Sequence, residues 1–201
     1  RQLGTNVEYM NRFTRQSGNP TLKPATLHNI SLVSNWDIFT FVANYTQTHN
    51  KIMYWNEQES TDENITNVRY RNFKRFPALT LSLTAAPRIG VWSPQLTLFC
   101  QKQWFDIERL GSKFDLSKPI WGIQWNNSFE FKHDWTAEAF LQVNSKGVTE
   151  NTELTRTTCA FNFSVRKAFL NDRLSVTVGV NDLFNRTVNH VILYTNNLKT
   201  S

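Results

Sequence analysis

Small polar residues alternate with apolar residues along many segments of this chain, and this alternation constrains the fold more than any other feature. In Leu174–Val180, four aliphatic residues occupy every second position, and Ser, Thr and Gly fill the positions between them. The same period recurs in Phe39–Tyr45, Leu79–Thr84 and Cys159–Arg166. A period of two predicts β-strands with one apolar and one polar face. Because the apolar faces are aromatic and the polar faces carry Ser, Thr, Asn and Gln, the pattern favours a barrel with lipid outside and water inside.

The average composition hides this signal. Mean hydropathy is −0.45, which alone would indicate a soluble protein. No run approaches the roughly 18 apolar residues of a membrane helix. In a membrane barrel only every second strand residue meets lipid, so a low mean hydropathy is expected. The 15 Phe and 7 Trp suit aromatic girdles at two membrane interfaces. We therefore expect one all-β domain, residues 1–201, that forms a transmembrane β-barrel.

The alternating segments predict eight strands in an antiparallel up-and-down meander, each paired with the next. They are Ala25–Trp36, Ile38–Asn56, Ile65–Ala86, Val91–Ile107, Ile120–Lys132, Trp135–Asn144, Thr152–Ala168 and Arg173–Leu193. We expect a break near Phe76–Pro77, because proline cannot donate to a ladder, and a kink near Asn185. The connections alternate between short and long, which is typical of outer-membrane barrels. Standing alone, such a chain is expected to form an open curved sheet, with a closed eight-stranded barrel as the alternative.

Charged residues in the strands indicate which face is wet. Glu130, Glu138 and Arg166 lie mid-strand, where a charge facing lipid costs about 2–4 kcal/mol and one facing water costs little. The predicted lipid-facing residues are Phe39, Phe41, Tyr45, Leu79, Leu81, Leu83, Phe129, Phe131, Ala137, Ala139, Leu141, Phe161, Phe163, Val165, Leu174, Val176 and Val178. The predicted lumen-facing residues are Asn44, Thr46, Thr80, Ser82, Ser128, Glu130, Glu138, Gln142, Asn162, Ser164, Arg166, Ser175, Thr177 and Asn181. The alternative is a soluble β-sandwich binding module, in which the same apolar faces would meet across a core.

The net charge of +6 raises the question of an anionic partner. Lys and Arg are scattered over loops, turns and polar faces, and only Arg69–Arg75 forms a local basic run with interleaved aromatics. We interpret that run as a strand near a membrane surface and predict no nucleic-acid partner, because nucleic-acid binding needs a continuous basic face.

The sequence contains no recognisable catalytic or metal-binding motif. Cys100 and Cys159 lie three predicted strands apart, roughly 14 Å at about 4.8 Å per strand, which is beyond disulfide reach. The four histidines lack metal-ligand spacing: His28, His49, His133 and His190. Glu130 and Glu138 resemble a carboxylate pair, but a wet lumen explains them better. We expect no enzyme activity and no catalytic, cofactor-binding or metal-binding residue.

Two motifs carry a family resemblance. The segment Arg15–Pro24 contains Gly-Asn-Pro-Thr-Leu-Lys-Pro and resembles the Gly-Asn-Pro-x-Leu-x-Pro segment of TonB-dependent outer-membrane receptors, where an outer loop turns into a descending strand. The segment Leu174–Asn185 ends in Asn-Asp-Leu-Phe-Asn and resembles a strand near the end of the same barrels. The chain resembles the outer-membrane β-barrel receptors of Bacteroidetes-type Gram-negative bacteria.

Both motifs also have a local physical interpretation. Gly18, Asn19 and Pro20 predict a turn, because Gly and Asn tolerate positive φ and Pro fixes φ. Asn181, Asp182 and Asn185 predict side-chain hydrogen bonds to backbone where the strand leaves the membrane. Neither motif looks catalytic or ligand-binding.

The resemblance implies energy-coupled nutrient uptake. Such receptors have barrels of about 22 strands around a plug. This chain would cover roughly strands 14 to 21, without the plug or the closing strand, and would be a partial barrel in the cell outer membrane. The implied partners are outer-membrane lipid, the TonB energy-coupling complex acting through the plug, and a nutrient of unknown type. Receptors for siderophores, haem, cobalamin, peptides and glycans share this barrel. The ligand-binding residues are unknown, and the candidate loops are Gln58–Asn64, Glu108–Lys118 and Ser145–Asn151. A passive porin-like or structural barrel is the alternative.

Overall fold

The computed structural model describes residues 3–4, 7–12, 14–58, 66–109, 112–171, 173–188, 190–194 and 199–200. The described elements are all β-strands, arranged in one ten-stranded sheet, one four-stranded sheet and one two-stranded hairpin. In chain order they are β1 (Val7–Asn11), β2 (Thr14–Ser17), β3 (Thr26–Trp36), β4 (Phe39–Gln58), β5 (Thr66–Ala85), β6 (Trp92–Gln103), β7 (Asp106–Arg109), β8 (Ser112–Asp115), β9 (Ile120–Phe131), β10 (Trp135–Asn144), β11 (Gly147–Thr149), β12 (Thr152–Leu154), β13 (Thr158–Phe169), β14 (Leu174–Val180), β15 (Val191–Tyr194) and β16 (Lys199–Thr200). None of the described segments is a helix able to cross a membrane.

The predicted meander is confirmed in its main strands. β3, β4, β5, β6, β9, β10, β13 and β14 pair in that order, each antiparallel to the next. Short connections at 37–38, 86–91, 132–134 and 170–173 lie at one end of this sheet, which we call the turn end. The long connections lie at the other end, the loop end. Within the described residues no pairing joins β3 to β14, so the sheet is open and the closed eight-stranded alternative is wrong.

Two features at the N-terminal side differ from the prediction. β1 and β2 precede the first predicted strand and form an extra antiparallel pair. β2 then runs parallel to β5, with Thr14–Ser17 alongside Thr66–Arg69. The expectation of an all-antiparallel sheet is therefore wrong at this pairing. At the loop end β5 extends beyond β6, so one edge of this part of β5 is not paired with β6. β2 pairs with that edge.

Three predicted strands are shorter than expected because their outer parts belong to other sheets. The predicted strand Val91–Ile107 ends at Gln103, the predicted strand Thr152–Ala168 begins at Thr158, and the predicted strand Arg173–Leu193 ends at Val180. The remaining residues form the β7–β8 hairpin and the four-stranded sheet β11-β12-β15-β16. The expected kink near Asn185 is instead a turn between β14 and β15. β7, β12 and β15 are only three or four residues long, so periodicity alone could not separate them from the long strands.

The predicted break at Phe76–Pro77 is absent. β5 continues through both residues, and Pro77 pairs in register with Gln47. In an antiparallel strand the N–H and C=O of one residue point to the same side. The Pro77 carbonyl accepts a hydrogen bond from Trp104 N (3.0 Å), on the β6 side. Pro77 lacks an N–H, but that N–H would point towards β6 at a position just beyond the last β5–β6 pair, Ala78–Gln103. The proline therefore removes no hydrogen bond between β5 and β4.

The strand register confirms the assignment of the two faces. One row across the sheet joins Phe41, Leu83, Leu98, Ile123 and Val143, all apolar. The adjacent row, on the opposite face, contains Val42, Ser82, Phe99, Gly122 and Asn144, of which three are small or polar. No second sheet covers the apolar face among the described residues, and its side chains are exposed, including Phe41 at 37% and Phe163 at 41%. The sandwich alternative, which needs an opposing layer, is therefore wrong.

Aromatic side chains lie near both ends of the apolar face, and Phe41, Trp125 and Phe163 lie between these ends. Near the turn end lie Trp36, Phe39, Trp92, Phe129, Phe131 and Trp135, and near the loop end lie Tyr45, Trp104 and Trp121. Trp121 and Phe129 belong to the same strand, β9, with a spacing of roughly 26 Å at about 3.3 Å per residue. A strand tilt of about 40° reduces this spacing to roughly 20 Å along the membrane normal, close to the apolar band of about 25 Å in outer-membrane barrels.

Candidate functional site

The loop end of the sheet carries a packed cluster that we call the cap. Its buried apolar residues are Met53, Trp55, Phe76, Phe105, Ile107, Leu116 and Val148, with Phe73, Ala78, Phe114 and Tyr194 partly buried around them. These residues come from the loop-end parts of β4 and β5, from the β7–β8 hairpin and its flanking residues, and from β11 and β15. The described parts of the long connections therefore pack against one another through an apolar core.

A kink in β4 places this core on the polar side of the sheet. Asn50 has a φ of 52°, and its expected pair with Lys74 is missing from an otherwise continuous ladder. Phe73 and Phe76 would point to opposite faces of a regular strand. Both rings nevertheless contact Phe105, at centroid distances of 5.2 and 5.3 Å. The kink therefore turns the upper part of the β4–β5 pair so that its aromatic residues cover the polar face.

Gln103 joins two of the long connections. Its side chain is 2% exposed and donates hydrogen bonds to the carbonyls of Leu116 and Glu150, both at 2.7 Å. It also accepts one from Glu150 N at 2.7 Å. A second junction is Asn151, whose amide donates to the carbonyl of Tyr194 at 3.1 Å, while Tyr194 N donates back at 2.8 Å. These amides satisfy buried backbone groups that loops otherwise leave unpaired.

Ion pairs lie around the rim of the cap. Lys51 pairs with Glu150 at 2.8 Å and Lys118 with Glu153 at 2.7 Å. Within the hairpin, the hydrogen bond from Lys113 to Asp106 (2.8 Å) raises the pKa of the Lys113 ammonium. Each pair has at least one exposed partner, so solvent weakens the attraction and these ion pairs contribute little to stability.

The structure brings together two of the three loops predicted to bind ligand. Glu108–Lys118 forms most of the β7–β8 hairpin, apart from 110–111, which lie outside the described residues. Ser145–Asn151 contains β11 and contacts that hairpin through the cap core and Gln103. The third loop, Gln58–Asn64, lies outside the described residues except for Gln58, which ends β4. The sequence missed the inward contribution of β4 and β5, because the kink at Asn50 leaves no signal in the periodicity.

The first motif forms the predicted turn at 19–22, but not for the predicted reason. Neither Gly18 nor Asn19 has a positive φ. A Cβ on Gly18 would lie 1.9 Å from the carbonyl oxygen of Gly4, so glycine is needed for close approach of two backbones. The Asn19 amide donates to Tyr70 O at 2.9 Å, and its oxygen accepts from Thr21 N at 3.0 Å. The segment therefore attaches to the edge of β5, where the prediction placed only a turn.

The second motif forms the backbone-bonded turn that was predicted. The Asp182 carboxylate accepts hydrogen bonds from Thr187 Oγ1 (2.5 Å) and Arg186 N (3.2 Å). Asp182 and Asn185 have φ near 50°, which Asp and Asn tolerate better than most residues. The hydrogen bond from Thr187, followed by that from Arg186, holds the pKa of the Asp182 carboxyl below its ordinary value.

We predict that Asp182 controls the order of segment 181–188. A lowered pKa means that the bonds to the carboxylate persist above the ordinary Asp pKa of about 3.9 and are lost as pH falls through the folded-state pKa below it. Asp182→Ala should therefore reduce hydrogen-exchange protection of the Arg186 amide several-fold at pH 7. In the unsubstituted protein, protection should fall only on acidification below about pH 3.9. Protection that does not change in either condition would show that other contacts hold the turn.

The remaining acidic, histidine and cysteine side chains of the described residues are spread over several strands. Glu130 and Glu138 both lie on the polar face, opposite Thr136 and Ser128, and Glu130 pairs with Arg88 at 3.5 Å. His28 and His49, remote in sequence, make an edge-on ring contact at 5.7 Å across β3 and β4. In the part of the chain that the structure describes, no group of three or more His, Cys, Asp or Glu side chains could hold a metal ion. Cys100 and Cys159 are free, as predicted.

Comparison with known families agrees with this geometry. A family model described as the outer membrane protein beta-barrel family matches residues 1–201, the whole chain. The chain belongs to this family. Its location is therefore the outer membrane, and the exposed apolar face is the surface that contacts outer-membrane lipid. No curated protein and no solved structure matches the chain. Membership in the outer membrane protein beta-barrel family explains why one face can be both apolar and uncovered.

Proposed function

We propose that this outer membrane barrel chain is part of a TonB-dependent receptor that imports a nutrient with energy supplied from the inner membrane. The observation that carries the proposal is the packed cap on the polar side of the loop end. A passive channel works with an open mouth, whereas a receptor needs ordered loops that present a fixed surface to its ligand. Resemblance of Arg15–Pro24 and Leu174–Asn185 to receptor motifs supports the same conclusion.

In this proposal the chain's own residues bind and position, and they catalyse nothing. The β7–β8 hairpin and the β11–β12 hairpin, joined by Gln103, form the ligand-contacting surface. Energy coupling would require a plug domain with a TonB-binding segment in the same polypeptide, so TonB is a proposed partner that this barrel segment does not itself contact. The nutrient class is left open, because receptors for several classes share the barrel.

A passive porin-like or structural barrel is the second candidate. The polar face favours it, because rows of Ser, Thr, Asn and Gln suit a water-filled channel. On that face Thr84 and Thr97 bond to each other at 2.9 Å, and Asn144 donates to Thr158 at 3.2 Å. Such neutral pairs give a hydrated lining with little selectivity.

Energy dependence of uptake separates the two candidates. A strain lacking the gene should lose growth on one nutrient from a panel of iron sources and glycans, and the gene in trans should restore it. Uptake of that nutrient should stop when a protonophore collapses the inner-membrane potential or when tonB is deleted. Uptake that continues under both treatments would contradict the receptor and establish the passive barrel.

A further inference from the structure

Two adjoining clefts at the loop end, beside the upper part of β5, are strongly basic. The first has a volume of about 740 Å³, and its charged lining residues are Lys23, Arg69, Arg71 and Lys74. The second, of about 670 Å³, shares Lys74 and adds Arg75. Among the described lining residues the one carboxylate is Asp106, which already pairs with Lys113 at 2.8 Å. We call the two clefts together the basic groove, after the lysine and arginine side chains among their described lining residues.

Hydrogen bonds hold the wall of the groove in place. The segment after β2 is attached to β5 by Asn19, which donates to Tyr70 O at 2.9 Å. Asn72 accepts from Lys23 N at 2.7 Å and donates to Lys23 O at 2.9 Å. The backbone that carries Lys23 is therefore fixed opposite β5. A site that exists before binding pays little of the ordering cost that weakens flexible sites.

The groove opens towards the lipid at the level of the upper aromatic residues. Tyr45 and Pro77 line the second cleft, and the register places both on the apolar face. Trp104 also lines it and is 43% exposed. The Lys102 ammonium lies 5.5 Å from the Trp104 ring centroid. Tyr, Trp and Lys in this combination mark the boundary between hydrocarbon and headgroups.

We propose that the basic groove binds the phosphate-bearing headgroup of an outer-leaflet lipid, whose acyl chains lie on the apolar face below Tyr45. Lysine and arginine bind phosphate oxygens through charge-assisted hydrogen bonds. A free anion would gain the same charge contacts. Only a lipid would also use the aromatic surface that continues from the second cleft, and this continuity favours a lipid over a soluble anion. The inference does not depend on which transport function the barrel performs.

The test compares three probes against the purified chain in non-ionic detergent by isothermal titration calorimetry. The probes are dihexanoyl phosphatidic acid, dihexanoyl phosphatidylcholine and inorganic phosphate. Phosphatidic acid should bind at least about tenfold more tightly than the other two, and its affinity should fall with added salt. The double variant Lys23→Gln/Lys74→Gln should lose about ten- to thirtyfold in affinity, since each lysine near an anionic headgroup contributes about a fivefold effect or slightly less.

A matched control keeps the test specific. Lys132→Gln/Lys146→Gln removes the same charge from two exposed lysines outside the groove and should change affinity less than about twofold. Equal losses in both double variants would overturn the proposal in favour of a general charge effect. Inorganic phosphate binding as tightly as phosphatidic acid would overturn the lipid assignment. Absence of binding would overturn the site itself.

Discussion

Phe163→Arg is expected to prevent assembly of the barrel in the outer membrane. Phe163 lies near the middle of β13 on the apolar face, paired with Ala139 and Val180. An arginine at mid-bilayer costs about 2–4 kcal/mol, and the lost phenylalanine removes further favourable contact with lipid. That total is a large part of the 5–15 kcal/mol that stabilises a typical folded protein. The expected result is loss of the folded, heat-modifiable band in unboiled gels of outer-membrane fractions.

The neighbouring residue provides the control. Ser164 follows Phe163 in the same strand but points to the polar face, between Glu138 and Gly179. Arginine there has a carboxylate opposite it and a small residue on the other side, so Ser164→Arg should assemble at near-normal levels. Equal loss in both variants would mean that the two faces are not lipid and water, and the apolar-outside assignment would fail.

Trp55→Ala is expected to loosen the cap while leaving the membrane strands intact. Trp55 is 2% exposed and its ring contacts Phe73 at 5.2 Å. Removing a buried tryptophan costs about 3–5 kcal/mol, because a cavity replaces the ring. Backbone amides of the β7–β8 and β11–β12 hairpins should exchange about 100-fold faster or more, since each 1.4 kcal/mol corresponds to about tenfold. Backbone amides in the halves of β9 and β10 nearest the turn end should keep their protection from hydrogen exchange.

Two variants calibrate this result. Tyr54, the preceding residue, is 51% exposed and stacks on Tyr70 at 4.2 Å, so Tyr54→Ala should cost only about 0.5–1.5 kcal/mol. Trp55→Phe should be much milder than Trp55→Ala. It keeps a ring in the core and removes an indole N–H that has no hydrogen-bond partner among the described residues. A cap equally protected in Trp55→Ala would show that the buried cluster does not hold the loops together.

The sequence by itself determined the membrane part of this protein. Alternation in segments such as Leu174–Val180 set the strands, their faces and their order, because side-chain direction in a strand has a strict period of two. The charges of Glu130, Glu138 and Arg166 were sufficient to orient those faces. Connection lengths then separated the turn end from the loop end. Each of these signals is local, so it survives in the sequence without knowledge of the fold.

Tertiary structure alone decided the loop end. The kink at Asn50, the parallel contact of β2 with β5, and the separation of β7, β12 and β15 from the long strands depend on contacts between residues far apart in the chain. In the sequence Gln103 cannot be distinguished from other polar strand residues. In the structure its three hydrogen bonds connect the loop that contains Leu116 with the loop that contains Glu150. The basic groove likewise combines Lys23 with Arg69–Arg75. Periodicity reports which way a side chain points relative to its own strand, whereas the cap and the groove depend on which strands meet.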